Sequence, residues 1–298
     1  MIRIGVDFGG TKIEAAALDA DGRFQARVRV PTPPDYADRL TATRDVVVEA
    51  ERQAGVRVSR VGVGGPGSPN PASGLMRNSN STVLNDKPFP ADLERALSRP
   101  VRYANDANCL ALSEATDGAA AGAGVVFAVI IGTGCGAGIV VDRRVVEGRN
   151  RIAGEWGHTP LPWPRADEYP GPACWCGRRG CLELWLSGSG FTHLTGRTRE
   201  AAAAAAAEGD GAALALLDAY IDRLARGLAV TVDILDPDVI VLGGGMSNIA
   251  ALYEMLPQVI ERHVFSDAFD TPIVAAVHGD SSGVRGAAWL WPPQDERA

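Results

Sequence analysis

The start of the chain consists of short β-prone runs separated by glycine-containing turns. The runs cover residues 2–7, 12–18 and 23–30, and the turns lie at residues 9–10 and 21–22. Runs joined by turns of this kind are typical of antiparallel neighbours in a sheet. The pattern predicts three consecutive antiparallel strands at the beginning of the fold.

Strands and helices follow one another along the rest of the chain. The apolar runs predict further strands at residues 58–63, 101–103, 125–131, 139–141, 239–242 and 273–276. Helices are predicted at residues 36–54, 92–98, 107–115, 187–194, 201–207, 212–234, 249–263 and 284–290. Residues 69–85 read as a polar loop, which offers Asn80 as a hydrogen-bonding side chain for a ligand.

Two segments of the chain share a strand, a glycine turn and a second strand. Residues 4–16 contain one such unit, and residues 125–141 contain the other. The repeat is weak, but it indicates two similar halves. Residues 119–124 are small and flexible, and they predict a domain boundary near this point.

Composition and charge limit the partners and the compartment. The 298 residues suffice for one large or two ordinary domains. A net charge of −7 argues against nucleic acid as the main partner, because neutralising phosphates requires a basic face. The longest apolar run, residues 125–131, is too short to span a bilayer, and the first residues do not resemble a signal peptide. Five cysteines, three of them clustered, favour a reducing cytoplasm.

The first predicted strand ends in a carboxylate that is followed by a glycine turn. Asp7 offers oxygen ligands to Mg²⁺, and the backbone N–H groups of the turn can approach phosphate oxygens. An ordinary hairpin turn explains this motif equally well. It is not a Walker A loop, because Thr11 stands where that motif requires lysine. The candidate nucleotide-binding residues of the turn are Gly9, Gly10, Thr11 and Lys12.

Two more glycine turns follow apolar runs further along the chain. Residues 132–138 partly resemble a dinucleotide fingerprint, but that fingerprint requires a helix after the loop, and the next residues are strand-like. An NAD-dependent oxidoreductase is therefore disfavoured, and a glycine hairpin against a phosphate fits better. Three such turns in one chain favour nucleotide binding. The candidate residues of the last two are Gly132, Thr133, Gly134, Gly243, Gly244 and Gly245.

Asn105 and Asp106 follow the predicted strand at residues 101–103. One explanation is that Asp106 caps the helix that starts at Ala107. The other is that Asp106 is a general base, which takes a proton from a sugar hydroxyl as that hydroxyl attacks a γ-phosphate. The residues alone do not separate the two explanations, and one side chain can serve both.

Three cysteines and one histidine form a candidate metal site, made of His158, Cys174, Cys176 and Cys181. Three thiolates and one imidazole complete a tetrahedral zinc site with no open position. This set favours structural zinc and disfavours a zinc hydrolase, whose metal must bind water, although three free core cysteines remain the alternative. Glu155 and Glu183 flank the site and could accept hydrogen bonds from sugar hydroxyls.

Taken in order along the chain, these motifs resemble the ROK family (repressor, open reading frame, kinase). The motifs are Asp7-x-Gly9-Gly10-Thr11-Lys12, Asn105-Asp106-Ala107-Asn108, Gly132-Thr133-Gly134, Gly154-Glu155-x-Gly157-His158, Cys174-x-Cys176-Gly177-x-x-Gly180-Cys181-x-Glu183 and Gly243-Gly244-Gly245. The resemblance covers essentially the whole chain, and the cysteine block is highly specific.

The resemblance implies an α/β fold of two ribonuclease-H-like (actin/hexokinase-like ATPase) domains with a central cleft. We expect residues 1–118 together with 284–298 to form the smaller α/β domain. Residues 119–283 are expected to form the larger α/β domain, which carries the zinc site. The family's kinases transfer phosphate from ATP to a sugar hydroxyl, so ATP, Mg²⁺ and structural Zn²⁺ are expected, and a homodimer is expected as well.

The resemblance also implies roles for individual residues. Asp106 matches the catalytic base, and Asn105 beside it contacts the sugar. Asp7 matches the Mg²⁺-associated position, and the three glycine loops match the ATP-binding loops. One ring nitrogen of His158 would bind zinc and the other a sugar hydroxyl. The positions that match the sugar-binding residues of the family are Glu155, His158 and Glu183.

The expected activity is ATP-dependent phosphorylation of a hexose. Residues 78–82, 130–138, 154–163 and 278–289 are similar to stretches of bacterial fructokinases that also accept mannose. We therefore predict conversion of D-fructose to fructose 6-phosphate, with a ROK glucokinase or an N-acetylglucosamine/N-acetylmannosamine kinase as the alternative. A sugar-sensing ROK regulator without catalysis is the alternative from another class. Such repressors carry a helix-turn-helix domain before the first glycine loop, and here Asp7 stands almost at the start of the chain.

Overall fold

The structure is a computed structural model that describes residues 1–291. The strands are β1 (Arg3–Phe8), β2 (Lys12–Leu18), β3 (Phe24–Pro31), β4 (Val61–Gly65), β5 (Ser68–Pro69), β6 (Met76–Arg77), β7 (Val101–Asn105), β8 (Val125–Ile131), β9 (Cys135–Val141), β10 (Arg144–Val145), β11 (Val239–Gly243) and β12 (Ile273–Ala275). The helices are α1 (Tyr36–Ala54), α2 (Phe89–Leu97), α3 (Asp106–Asp117), α4 (Leu182–Leu186), α5 (Gly188–Thr195), α6 (Arg199–Ala207), α7 (Gly211–Leu235), α8 (Ala251–Ile260) and α9 (Ser282–Trp289). No helix among residues 1–291 combines the length and the apolar character needed to cross a membrane.

The chain forms two compact units. The described part of the first unit comprises residues 1–122, 138–153 and 278–291, and the second comprises residues 123–137 and 154–277. Residues 119–122, 138–153 and 278–283, which we expected in the larger domain, group with the first unit. Residues 292–298, expected in the smaller domain, lie outside the described residues.

The sheet of the first unit has the strand order β3-β2-β1-β4-β7. β1, β2 and β3 are antiparallel neighbours, as the turn pattern predicted, and β4 and β7 extend the sheet in parallel with β1. One face carries a core in which Phe89 of α2 packs between Phe8 and Tyr103, with ring centroids 4.7 and 6.0 Å away. The other face receives α9 so closely that a Cβ at Gly62 would lie 1.7 Å from the carbonyl oxygen of Ala287.

The second sheet repeats this strand order as β10-β9-β8-β11-β12. A hairpin of antiparallel strands again lies at one end, and β8, β11 and β12 run parallel to one another. The order matches that of the first sheet strand for strand, which agrees with the weak repeat in the sequence. β9 begins at Cys135, so the turn after β8 covers residues 132–134 and is shorter than the glycine-rich stretch indicated.

Two further elements begin later than their patterns predicted. β4 starts at Val61 instead of residue 58, because the N–H of Val58 donates to the Glu51 side chain at 2.7 Å and so bonds to α1 instead of a strand. The predicted helix at 249–263 is α8, preceded by a short 3₁₀ helix, Gly245–Asn248. The glycine turn after β11 therefore leads first into a tight helical turn.

Candidate active site

The turn between β1 and β2 forms the first candidate nucleotide loop. The N–H of Gly9 donates to the carbonyl of Lys12 at 2.9 Å and closes the turn. Thr32 anchors it from the end of β3, with its hydroxyl on the Gly9 carbonyl at 2.8 Å and its N–H on the Thr11 carbonyl at 2.9 Å. Gly10, at the tip, is exposed. An anchored turn with an exposed glycine tip is suited to receive a phosphate group.

Asp7 lies at the carboxyl end of β1, beside Gly64 of β4. Burial raises the pKa of its carboxyl group from 3.8 to about 6; the Lys12 ammonium opposes this rise, and the carboxylates of Asp106 and Glu14 add to it. The carboxyl group is therefore mostly ionised at neutral pH, where it can attract a cation. Because Asp106 affects its pKa, the two aspartates lie within electrostatic reach of each other.

β7 carries Asn105 and Asp106 to the start of α3. The Asn105 side chain accepts the N–H of Asn108 at 2.7 Å, so Asn105 caps the helix. The cap explanation for Asp106 is therefore wrong, because the helix begins one residue earlier than predicted. The Asp106 carboxylate accepts the N–H of Ala107 at 2.9 Å. It is exposed to solvent, and partial desolvation by the surrounding protein raises its pKa.

Asn80 lies on the polar loop between β6 and α2, with its side chain exposed. The residues on either side are anchored. The Ser79 N–H donates to the Asn85 side chain at 3.0 Å, and the Ser81 hydroxyl accepts from Arg39 at 2.6 Å. The loop thus presents Asn80 from a fixed backbone, as a residue that binds a ligand requires.

In the second unit, the other two glycine loops lie side by side. β8 leads into residues 132–134, and β11 leads into residues 243–245. Gly244 has a φ of +81°, and a Cβ there would lie 2.6 Å from the carbonyl oxygen of Ile131. Only glycine permits both this conformation and this approach. The two loops therefore present their backbones from one edge of the sheet.

The start of α5 holds the loop after β8 in place. The Gly188 N–H donates to the Gly132 carbonyl at 2.8 Å, and the Ser189 hydroxyl donates to the Thr133 carbonyl at 2.6 Å. The next element is the strand β9, whereas a dinucleotide fingerprint needs a helix at this position. A strand at this position agrees with the sequence analysis, which disfavoured a Rossmann site.

The predicted metal cluster is assembled in the second unit. Its ligand atoms all lie within 4.8 Å of one another. Nδ1 of the histidine lies 3.7 Å from Sγ of Cys174, and the sulfurs of Cys176 and Cys181 lie 3.6 Å apart. Ligands about 2.3 Å from a tetrahedral zinc ion are separated by roughly 3.8 Å. The four side chains, those of His158, Cys174, Cys176 and Cys181, therefore fit zinc.

Without an ion, the surroundings favour the protonated thiol at two of the three cysteines. Burial raises the pKa of Cys174, and it raises that of Cys181 to about 12. The backbone N–H of Arg178 lowers the pKa of Cys176. Deprotonating all three would place thiolates side by side, and a bound divalent cation would offset their repulsion and stabilise the deprotonated form.

Glu183 lies beside both the metal cluster and the first loop of the second unit. It stands in the first turn of α4, a helix that begins directly after the cluster residue Cys181. The Cys135 N–H donates to its Oε2 at 3.2 Å, and the indole N–H of Trp175 donates to its Oε1 at 2.9 Å. Glu155 is half-buried just before the 3₁₀ helix Trp156–His158, which ends on the cluster histidine.

The contact from Trp175 is the feature that the sequence interpretation missed. Trp175 stands between two cluster cysteines, and no pattern indicated which way its ring points. The Cys135 N–H was missed too, because no sequence pattern indicated that a backbone donor of this loop reaches Glu183. The Cys135 thiol is buried, and burial raises its pKa.

The predicted site residues are divided between the two units. The first unit holds Asp7, Gly9, Gly10, Thr11, Lys12, Asn80, Asn105 and Asp106. The second unit holds Gly132, Thr133, Gly134, Glu155, His158, Cys174, Cys176, Cys181, Glu183, Gly243, Gly244 and Gly245. Each group stands mainly where strands end and loops begin, which is where ligands bind in α/β sheets.

Comparison with known proteins identifies the family and the relatives of the chain. The ROK family model matches residues 3–294. N-acetyl-D-glucosamine kinases of Yersinia pseudotuberculosis and Pectobacterium atrosepticum are each 41% identical over 297 residues, covering 96% of this chain and 97% of theirs.

Solved structures agree with the sequence relatives. The ROK hexokinase of Thermus thermophilus superimposes with a TM-score of 0.87 at 33% identity, and all of both chains is covered. A ROK family glucokinase of Streptomyces griseus, solved with glucose and AMPPNP, gives a TM-score of 0.76 at 27% identity over 97% of this chain and 99% of its own. The chain therefore belongs to the ROK family, and within it to the sugar kinases.

Proposed function

We propose that this sugar kinase transfers the γ-phosphate of ATP to the primary hydroxyl of N-acetyl-D-glucosamine. The relatives that are 41% identical over 96% of the chain support this sugar, because they are N-acetyl-D-glucosamine kinases. The predicted preference for fructose has no such support among the relatives reported above. Fructose is kept as a substrate to be tested.

The proposed mechanism rests on the exposure and the raised pKa of the Asp106 carboxyl group. Asn105 supplies the helix cap, which leaves the Asp106 carboxylate exposed and with a raised pKa. A general base is most effective when its pKa approaches the working pH. Asp106 takes the proton of the sugar hydroxyl as the hydroxyl oxygen bonds to the γ-phosphorus. The bond from that phosphorus to the bridging oxygen of ADP breaks, and ADP leaves.

The remaining groups bind and orient the two substrates. The backbone N–H groups of the three glycine loops receive the nucleotide, and Asp7 attracts the Mg²⁺ that neutralises phosphate charge. Asn105 stands directly before the base. Sugar hydroxyls are bound by Asn80, Asn105, Glu155, His158 and Glu183.

The cysteine–histidine cluster is proposed to hold structural zinc. Four protein ligands leave no position for a water molecule, so the ion would supply rigidity and not a nucleophile. Nδ1 of His158 faces the cluster, and this leaves Nε2 for a sugar hydroxyl. Because Glu183 lies two residues after Cys181, fixing the cluster also fixes the backbone that carries this carboxylate.

The substrate is tested by a coupled ATP-consumption assay with N-acetylglucosamine, fructose, mannose and glucose. We expect kcat/KM for N-acetylglucosamine to exceed that for each other sugar by about tenfold or more, which corresponds to about 1.4 kcal/mol of transition-state binding. A kcat/KM for fructose higher than that for N-acetylglucosamine would support the prediction of a fructokinase instead. Turnover of none of the four sugars would refute the proposed function.

The base is tested by Asp106→Asn. This variant keeps the size of the side chain but cannot accept the proton, so kcat should fall by roughly 10²–10⁴-fold while sugar binding stays measurable by calorimetry. Asp45→Asn is the control, since Asp45 is exposed on α1 and pairs with Arg44. Wild-type turnover in Asp106→Asn would exclude this residue as the base.

Two further properties are part of the proposal. ATP is a cytoplasmic substrate, and we place the protein in the cytoplasm for that reason. A homodimer is proposed from the family resemblance. Light scattering coupled to size exclusion tests it, and a mass near 31.2 kDa would show a monomer instead.

A further inference from the structure

Trp175 contacts two of the residues proposed to bind the sugar. Its indole N–H donates to Oε1 of Glu183 at 2.9 Å. Its ring meets the ring of His158 edge to face, with centroids 4.8 Å apart and planes at 87°. The side chain is nevertheless 67% exposed. A large aromatic side chain that is this exposed contributes little to a core, so its contacts need another explanation.

The two hydrogen bonds on Glu183 define the direction of its carboxylate. Cys135 donates to Oε2 and Trp175 to Oε1, one donor on each oxygen. An ionised carboxylate has about four acceptor positions, so about two remain for the hydroxyl groups of a sugar. Without the indole, Oε1 loses this donor, and the carboxylate can rotate about its remaining hydrogen bond from the Cys135 N–H.

The backbone around Trp175 is fixed by the metal cluster. Trp175 stands between Cys174 and Cys176, and both contribute a sulfur to the cluster. The Cys174 N–H donates to the Arg178 carbonyl at 2.8 Å, and the Gly177 N–H donates to the Cys174 carbonyl at 3.0 Å. These bonds close a tight turn that contains Trp175. An ion bound by the cysteine sulfurs would therefore also fix the direction of the indole N–H.

We propose that Trp175 is a positioning residue that connects the metal cluster to the sugar site by orienting Glu183 and His158. The inference rests on the proposed function, since it assigns Trp175 to the same sugar site. It predicts that the indole controls sugar affinity and that a bound sugar covers part of its exposed ring. Trp175 itself takes no part in phosphoryl transfer.

The first test is Trp175→Phe, which keeps an aromatic ring beside His158 and removes the donor to Glu183. KM for the sugar should rise roughly tenfold, the factor expected for one hydrogen bond to a charged group. Both kcat and KM for ATP should stay within about twofold, because the lost contact is uniform binding of the sugar. Zinc content should stay at the wild-type value. An unchanged KM for the sugar would overturn the proposal.

The control is Trp163→Phe, the same substitution at another exposed tryptophan of the same unit. Trp163 is 54% exposed and stacks on His263, with centroids 5.6 Å apart. This variant should show wild-type KM values for both substrates. A rise in sugar KM equal to that of Trp175→Phe would show a general effect of losing a surface tryptophan, and would also overturn the proposal.

A second measurement leaves Trp175 intact, so it decides the matter even if Trp175→Phe folds poorly. In Trp163→Phe protein without ATP, iodide should quench the fluorescence of the exposed Trp175, and the preferred sugar should reduce that quenching. Quenching unchanged at saturating sugar would overturn the inference. The quenching measurement needs no turnover, so it tests the role of Trp175 separately from the kinase assignment. The kinase assignment itself is decided by the assay of the wild-type protein.

Discussion

Replacing Asp7 with asparagine is expected to stabilise the protein at neutral pH. Burial raises the pKa of this carboxyl group from 3.8 to about 6, with Lys12 opposing the rise and Asp106 and Glu14 adding to it. A raised pKa means that the folded protein binds the proton more tightly than the unfolded chain does. The ionised Asp7 therefore costs stability, and asparagine removes the charge while keeping the shape.

The size and sign of the effect follow from linkage. Between pH 3.8 and about 6 the folded state binds more protons than the unfolded state, so stability falls as pH rises through this window. A difference of about 2 pKa units corresponds to about 3 kcal/mol, and partial exposure of the side chain reduces this to about 2 kcal/mol. Asp7→Asn should gain about 2 kcal/mol at pH 7.5 and about half of that at pH 5.

Urea unfolding at pH 7.5 and pH 5 measures both values. Glu168→Gln is the control of opposite sign. Burial opposes the ionisation of Glu168, but hydrogen bonds from Arg226 and Arg223 outweigh it and lower the pKa to about 2. Its stabilising contribution is present above pH 4.5 and is lost as pH falls through about 2, so this variant should be destabilised equally at both pH values.

Two results would refute the reasoning on Asp7. One is an Asp7→Asn variant that is less stable than wild type at pH 7.5. The other is a stability gain that does not shrink between pH 7.5 and pH 5. The same variant should lose kinase activity, because it cannot offer a carboxylate to Mg²⁺. If Asp7→Asn is more stable and less active than wild type, Asp7 contributes to function at a cost in stability.

The remaining predictions concern the metal cluster and a glycine turn. Wild-type protein should contain about one zinc ion per chain, and Cys176→Ser should contain less and melt at a lower temperature; full zinc in the variant would contradict the ligand assignment. Gly244→Ala should lower the free energy of unfolding by roughly 2–4 kcal/mol, because φ is +81° and its Cβ would lie 2.6 Å from the Ile131 carbonyl oxygen. Gly211→Ala, at an open position in α7, should be neutral or stabilising.

The sequence by itself determined most of the elements and pointed to the candidate site residues. The order of strands, helices and glycine turns is local information, because side-chain periodicity and turn residues act over a few positions. The cysteine and histidine spacing predicted a cluster that the structure assembles. The main errors in the predicted strands and helices were at their boundaries. β4 begins late because Val58 bonds to Glu51, and the helix after β7 begins early because Asn105 provides its cap.

Only the tertiary structure decided what surrounds each functional group. The pKa of Asp7 depends on its burial and on Lys12, Asp106 and Glu14, and Asp106 lies far away in sequence. The bond from Trp175 to Glu183 depends on a turn that brings residues eight positions apart together. Residues 138–153 joined the first unit through packing that no local pattern encodes. Desolvation and side-chain direction arise from contacts between distant segments, so they exist only once the chain has folded.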